Sequence, residues 1–285
     1  MENTTQNSYH THISSKHNAL ELKLDEVWRY RDLILLFTKR NFVVRYKQTI
    51  LGPAWILLNP LFSSIIYAIV FGGIAKIGTE GIPTILFYLC SNAIWLFFAT
   101  CVTTNARTFT ENANVFGKVY FPRLTMPISN MLSAGIHFCV QMLLVLGFLG
   151  FYLVQGAVHP NWAAWLLIPV VLLHLGMLGL GCGIIVSSLT TKYRDLAILV
   201  DFAMQLWMYA TPVVYPLSTL EPGWIRTILL INPVTAPVEF FRYAILGQGS
   251  ILPGVLVLSW AITIVVMLIG IVIFNKVERT FMDTV

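Results

Sequence analysis

Long stretches of this sequence carry no charge at all. Charged residues make up 11% of the 285 and hydrophobic residues 57%, whereas soluble domains carry about 25% charged residues. So little charge cannot coat a water-facing surface, which excludes a soluble globular protein. No Asp, Glu, Lys or Arg occurs from Gln48 to Ala75, Gly81 to Ala106, Leu124 to Thr191, Phe202 to Leu220, or Tyr243 to Asn275. About 20 apolar residues cross a bilayer, and a charge at its centre costs roughly 2.5 to 3.5 kcal/mol on insertion scales. Each gap therefore reads as membrane-spanning, and the longest must hold two passes.

Other absences narrow the function. There is no G-x-x-x-x-G-K-[ST] phosphate loop: the sole Gly-Lys pair, Gly117-Lys118, continues with Val119 and lacks the first glycine. No polar segment approaches the length of a nucleotide-hydrolysing domain, so this chain does not hydrolyse ATP alone. No Ser/His/Asp or paired-carboxylate constellation supports a hydrolase or a glycosyltransferase. Cys90, Cys101, Cys139 and Cys182 all fall within spans at spacings that match no metal or redox motif, and read as small packing residues. The first 24 residues show no apolar run behind a basic start, so no cleaved signal peptide is expected.

What remains is an all-α membrane protein with six spans, placed near Ala54–Ile74, Pro83–Thr104, Pro127–Val154, Trp162–Leu189, Leu196–Tyr215 and Leu252–Phe274. The longest gap divides at Gln155-Gly156 and His159-Pro160-Asn161, a cluster of helix breakers. Lys and Arg set orientation. Eight lie in residues 1–53, three in the loop after span two (Arg107, Lys118, Arg123), two after span four (Lys192, Arg194) and two in the tail (Lys276, Arg279). Only Lys76, Arg226 and Arg242 fall on the opposite side. Both termini are accordingly expected in the cytoplasm. The net charge of +5 then reflects a basic inner face, not nucleic-acid binding.

Residues 1–24 are polar and aperiodic and are expected to be disordered. Residues 25–52 read as an amphipathic interfacial helix ahead of the transmembrane domain, 53–285. Asp25-Glu26 suit its N-terminus, and Leu33, Phe37 and Val44 share one face with Leu36 and Val43 beside it. Trp28, Arg29, Arg31, Lys39, Arg40 and Arg45 supply the amphipathic and basic remainder; a soluble helix packed on a partner is the alternative. The inner loop 105–123 is long enough for a short helix stopped by Pro122, and its mixture of aromatics with charge favours a docking surface. On the outer side, 216–250 holds two apolar stretches, Trp224–Ile231 and Pro237–Leu246, parted by Asn232-Pro233. Each reaches only about half a bilayer, so the pair reads as a re-entrant hairpin, which survives only when buried in protein or facing a watery cavity. Something is passed or gated there. Glu239 and Arg242, three residues apart, are expected to face that watery vestibule or a second copy's hairpin.

Intramembrane ionisable groups carry functional expectations. Asp201 is read mainly as structural, pairing with Lys192 or Arg194 or capping polar neighbours. His137 and His174 fall near mid-membrane, where they bond each other or a carbonyl as helix-to-helix glue. A proton relay would need carboxylates at that depth, and their absence argues against a proton-coupled secondary transporter. Trp55, Tyr67, Phe71, Trp207, Tyr209 and Tyr215 are either interface anchors or the lining of a path for sugar rings, whose apolar faces suit aromatics.

Five segments in shared order carry a family resemblance: Tyr46-Lys-Gln-Thr-Ile-Leu-Gly-Pro-Ala-Trp55 with Asn59-Pro60; Asn114-Val-Phe-Gly-Lys-Val-Tyr-Phe-Pro-Arg123 before Pro127; Tyr193-Arg194-Asp195; Thr211-Pro212-Val-Val-Tyr-Pro216; and Asn232-Pro233 with Arg242 and Gly247. From about Trp28 onward the chain resembles permease subunits of bacterial ABC transporters that export O-antigen, teichoic acid, capsule and related lipid-linked glycans. The resemblance implies a working unit of two permeases and two separate ATPases, with ATP and Mg held by the latter. It implies that the entry helix and the loop containing Asn114, Lys118, Tyr120, Phe121, Pro122 and Arg123 touch the ATPase, and that the outer hairpin acts as a gate. Gly117 departs from the pattern, where a larger apolar residue is expected, and weakens that loop helix by up to about 1 kcal/mol. An ABC permease of the same architecture exporting a drug or small lipid is the alternative, with a secondary transporter, which requires broken helices in both halves, behind it. The charge bias has a direct test. An impermeant thiol reagent added outside should label Gly156→Cys and Gly223→Cys and spare Asn112→Cys; the reverse pattern would invert the topology.

Overall fold

The structure, a computed structural model, describes residues 24–119, 121–193 and 195–284. The expected disordered tail, 1–24, lies almost wholly outside them. Hydrocarbon offers backbone N–H and C=O groups no water, so a crossing segment must bond to itself. The chain obeys: among the described residues there are twelve α-helices and no strand.

Two short helices lead in, α1 (Leu24–Arg29) and α2 (Arg31–Tyr46), broken at Tyr30 rather than forming one continuous helix. A 3₁₀ turn at Gly52–Ala54 then starts α3 (Trp55–Tyr67), which continues as π-helix over Ala68–Ile74. α4 (Thr84–Ala106), α5 (Thr108–Phe116), α6 (Thr125–Val154), α7 (Trp162–Trp165) and α8 (Ile168–Thr190) follow. The remainder is α9 (Leu196–Tyr209), α10 (Trp224–Ile231), α11 (Thr235–Leu246) and α12 (Pro253–Thr284). Among the described residues five segments are long and apolar enough to cross a membrane, or six if the bent pair of α10 and α11 counts as one. The fifth expected span is not one of them: α9 has 14 residues, ~21 Å at 1.5 Å per residue against a core of about 30 Å. It stops because Ala210–Tyr215 turns, with Pro212 unable to continue a helix. α10 and α11 meet at 85°.

The helices are not equivalent. In α4, 78% of the most apolar window is buried inside the protein, and in α8, 61%, against 17% to 22% in the α3, α6 and α12 segments. α4 and α8 are the central pair, and the others present most of their surface outward. What lets the pair approach is glycine, since small residues bring helix backbones together where lipid supplies no hydrophobic drive. A Cβ on Gly179 would sit 2.6 Å from Cys101 Cβ, and one on Gly183 2.4 Å from Asn105 Cβ and 3.0 Å from the Val102 carbonyl. The other side of α8 receives α12: a Cβ on Gly270 would lie 3.0 Å from the Gly181 carbonyl oxygen. His174 reinforces that seam. Its Nε2 is 2.9 Å from Thr263 Oγ1 and 3.1 Å from Ser259 Oγ, and its ring stacks on Trp260 at 4.2 Å. The two histidines thus bond to other partners and not to each other.

Two buried clusters result. The larger runs through α4, α6, α8, α9 and α11. The smaller joins α1, α2, α5, the start of α6 and the C-terminal halves of α8 and α12 around Phe37, Phe109, Phe116, Phe121 and Phe274. Gly183→Val should lower the unfolding temperature of the protein in nanodiscs, because overpacking costs about 1 to 3 kcal/mol. Gly147→Ala, whose Cβ would enter open space, should leave it unchanged or raise it. Equal effects would remove the glycine contact from the account.

Candidate functional site

α5 closes the smaller cluster. Phe109 stacks on Phe274 at 4.8 Å, and Phe121 lies 5.6 Å from Phe37 of α2 and 5.7 Å from Phe116. Phe121 and Arg123 are buried, and the Arg123 guanidinium lies over the Phe116 ring at 5.5 Å. The expectation of exposed aromatics in this loop is therefore corrected: the phenylalanines weld the loop to α2 and α12, as burying apolar rings dictates. Tyr120 lies outside the described residues. What the loop presents to solvent is Thr110, Glu111, Asn114, Lys118 and Val119, with Pro122 half-buried. Gly117 follows α5 directly as its C-cap.

The entry helix turns one face to the protein and leaves a second apolar face exposed. Val27, Ile34, Phe37 and Thr38 point inward, while Leu35, Leu36, Val43 and Val44 are exposed and Leu33 is half-buried. Helix α2 is docked onto α6 by polar side chains: Asn41 Nδ2 donates to Asn130 Oδ1 at 2.9 Å, and Arg40 donates to Asn112 Oδ1 of α5 at 3.3 Å. Asn130 in turn donates to Asn105 Oδ1 at 3.2 Å, so α2, α4, α5 and α6 meet in one amide cluster. His137 extends the seam, its Nδ1 2.6 Å from the Ser133 carbonyl and its ring packed by Phe42 and Tyr46. Burial pushes the Tyr46 phenol above its usual range, and Arg45 beside it pulls it part of the way back. Trp28, Arg29, Arg31, Lys39 and Arg45 are all exposed, with Arg31 over the Trp28 ring at 5.9 Å.

Asp201 pairs neither with Lys192 nor within its own helix. It forms an ion pair with Arg107, the residue between α4 and α5; Arg194 lies outside the described residues. At the other end of α9, Trp207 Nε1 donates to Asn232 Oδ1 at 3.1 Å, and Asn232 Nδ2 donates to the Ala210 carbonyl at 2.8 Å and to Thr211 Oγ1 at 2.9 Å. Helix α9 buries only Met204 and Met208 and is held polar-fashion at both ends. Of the six aromatic candidates, Trp55 and Tyr209 are exposed. Tyr67 and Phe71 pack on Tyr88 of α4, and Trp207 meets Phe98 edge-on at 5.3 Å. Tyr215 donates its hydroxyl to the Tyr209 carbonyl at 3.0 Å.

Glu239 and Arg242 face no vestibule within the chain. They are 3% and 0% exposed, joined to each other. Arg242 also donates to the carbonyls of Pro212 at 2.9 Å and Tyr215 at 3.4 Å, and lies over the Phe87 ring at 4.8 Å. Glu239 accepts from the backbone N–H groups of Leu217 at 3.4 Å and Ser250 at 3.3 Å. The pair is a clamp that satisfies backbone left unpaired on both sides of the hairpin. Nearby, Gly247 ends α11 with φ +73, and a Cβ there would come within 1.9 Å of the His159 carbonyl. No other residue fits.

Sequence reasoning missed the Arg107–Asp201 pair, the Asn105–Asn130–Asn41 cluster and the anchoring role of Asn232. Asn232 and Arg107 carried visible signals, an Asn before Pro and a charge at the border of a long uncharged gap, but neither names a partner. Among the described residues no group of three or more His, Cys, Asp or Glu could hold a metal. Removing one member of a buried ion pair costs about 3 to 5 kcal/mol. Arg242→Ala should therefore reduce the level of folded protein in membranes and its unfolding temperature. Arg242→Lys should rescue little, since one ammonium cannot reach both carbonyls, the carboxylate and the Phe87 face. Wild-type stability of Arg242→Ala would refute the clamp.

Residues 32–246 match the ABC-2 type transporter family. Two O-antigen export system permease proteins RfbA from Klebsiella pneumoniae are each 28% identical to this chain, over 257 and 253 residues, covering 88% of this chain and 94% of each relative. The RfbA permease of Myxococcus xanthus is 28% identical over 221 residues, 76% of this chain and 81% of its own length. A helical bundle whose matched region runs from the docked entry helix to the end of the clamped hairpin thus has relatives of nearly the same extent, and the chain belongs to the ABC-2 type transporter family.

Proposed function

We propose that this chain is the membrane subunit of an ATP-driven exporter that moves a lipid-linked polysaccharide across the cytoplasmic membrane of a bacterium, both of its termini lying inside. The similarity to O-antigen export permeases along 88% of the chain carries this reading. Supporting it, the sequence has no phosphate loop of its own, so hydrolysis falls to a separate ATPase holding ATP and Mg. Two copies of this chain and two ATPases form the working unit, with the path between the permeases. The cargo could equally be a teichoic acid or capsule chain, since the shared chemistry is a sugar polymer on a lipid. This is transport by conformational change, not covalent catalysis.

The ATPase docks on the exposed ridge of α5 and the turn after it, at Asn114 and Lys118. Behind that ridge Phe121 packs on Phe37 of the entry helix and Arg123 on Phe116 of α5, with Pro122 between them in the chain. A push on α5 reaches α9 through Arg107 and Asp201, and α9 reaches the outer hairpin through Trp207 and Asn232. The hairpin is the outer gate, α10 and α11 being its two arms, re-entrant from the outer face. Glu239 and Arg242 keep its base rigid so that α9 moves it as a unit. The aromatics Trp55 and Tyr209, exposed on this chain, offer sugar-facing surface to the path.

Deleting the gene for this chain should abolish surface polysaccharide and leave the lipid-linked polymer inside. The wild-type chain should restore display. An Asn114→Ala/Lys118→Glu variant, equally abundant in the membrane, should restore several-fold less and co-purify poorly with the ATPase. Unchanged surface polysaccharide in the deletion strain would sink the export reading; full restoration by the variant would sink the docking site alone.

A further inference from the structure

The hinge of the outer hairpin, Asn232-Pro233, is tied to two different parts of the bundle. α10 and α11 meet there at 85°. The carbonyls on either side of Pro233 are served locally: Asn232 accepts from the Thr235 N–H at 3.1 Å and Val234 from the Val238 N–H at 3.2 Å. Helix α11 could reach back to the Pro233 carbonyl only through residue 237, and that residue is proline, which has no N–H to give. The donor comes instead from α12, where Ser259 Oγ donates to the Pro233 carbonyl. Asn232, one position earlier, is bonded to Trp207 of α9.

A serine hydroxyl has one proton, and inside a helix that proton ordinarily turns to the carbonyl four residues back. Ser259 spends it on Pro233, so its oxygen is left to accept. Thr263, one turn on, gives its proton to the Ser259 carbonyl at 2.8 Å and is likewise left to accept. Both oxygens face His174 Nε2 of α8, at 3.1 Å and 2.9 Å. Two acceptors at one ring nitrogen require that nitrogen to carry hydrogen, so His174 donates there. A bare Nε2 would compete with the Pro233 carbonyl for the Ser259 proton. The ring is itself fixed: His174 is buried and stacks on Trp260 at 4.2 Å, the two planes 16° apart.

We propose that His174 is a positioning residue for the outer hairpin: through Ser259 it latches the hinge at Pro233 to the seam between α8 and α12. That seam is close-packed, with Gly270 of α12 against the Gly181 carbonyl, so one end of the latch is fixed. The other end is a single hydrogen bond to a backbone oxygen, lost when Pro233 withdraws from Ser259. The proposal rests on the reading of the hairpin as the outer gate. On that reading Asn232 carries the movement of α9 to the hinge, while Pro233 holds the hinge to α12. His174 touches no cargo; it acts by keeping the Ser259 proton turned to the hinge.

The test reads two native cysteines of the whole exporter in spheroplasts treated with an impermeant thiol reagent, each modification being located afterwards by mass spectrometry. Both are fully buried in α4. Cys90 lies one turn from Phe87, over which α11 places Arg242, and Cys101 lies further along, against Gly179 of α8. Ser259→Ala should open the hairpin more often and label Cys90 about tenfold faster, the shift for one lost hydrogen bond, with Cys101 unchanged. His174→Phe, which keeps a ring on Trp260 but no N–H, should speed Cys90 several-fold. The double variant should label no faster than Ser259→Ala alone, since both changes act through one bond. Wild-type labelling of Cys90 in Ser259→Ala would overturn the latch, as would faster labelling of both cysteines together, the mark of general loosening. Additive effects, or a silent His174→Phe, would overturn the role of His174. If wild-type Cys90 labels no faster in energised than in ATP-depleted spheroplasts while Ser259→Ala still speeds it, the gate reading falls and the bonds at the hinge stand.

Discussion

A polypeptide in hydrocarbon must satisfy its own backbone, and every unusual feature of this chain sits where the helical answer to that demand breaks down. Unsatisfied polar groups there cost several kcal/mol each, so breaks are tolerated only where side chains stand in for the missing bonds. The longest break between helices among the described residues runs from Ala210 to Gly223. Arg242 takes the Pro212 and Tyr215 carbonyls, Glu239 takes the Leu217 N–H, and Asn232 takes the Ala210 carbonyl. The charges at 239 and 242 thus serve the backbone first. A buried ion pair alone is weak support for a fold; one that also closes four backbone bonds is a different object.

The same constraint explains the division of labour among helices. α4 and α8 are buried on most sides and use glycine to approach, so they form the fixed frame. α9 buries two methionines and is otherwise tied near its ends, to Arg107 at one and to the hairpin at the other. An element with a small apolar contact and polar anchors shifts at lower cost than one keyed by glycine, because hydrogen bonds re-form along a slide and close packing does not.

The three phenylalanines of the α5 region face inward and fuse α5 and the turn after it to the entry helix and α12.

By itself the sequence determined that the chain is an all-α membrane protein, where its uncharged segments lie and where the outer hairpin breaks, because the cost of a charge in lipid acts residue by residue and needs no partner. It likewise marked where the loop and the hairpin interrupt the apolar helices, since proline, glycine and clustered charge break such helices locally. Partnership was another matter. Asp201 had Lys192 and Arg194 near it in sequence, yet Arg107, 94 positions away, is its partner. Leu33, Phe37 and Val44 lie on one face by periodicity, but docking on α6 rotated α2 so that Ile34 and Thr38 are buried with Phe37 while Val44 is exposed. Phe121 belongs to a loop read as a docking surface yet is buried, and Glu239 with Arg242, expected to face a watery vestibule or a second copy's hairpin because a helix-face pair alone is weak, are buried within the chain. In each case a residue's surroundings come from helices far away in the chain, and only tertiary packing decides which side of a helix meets protein.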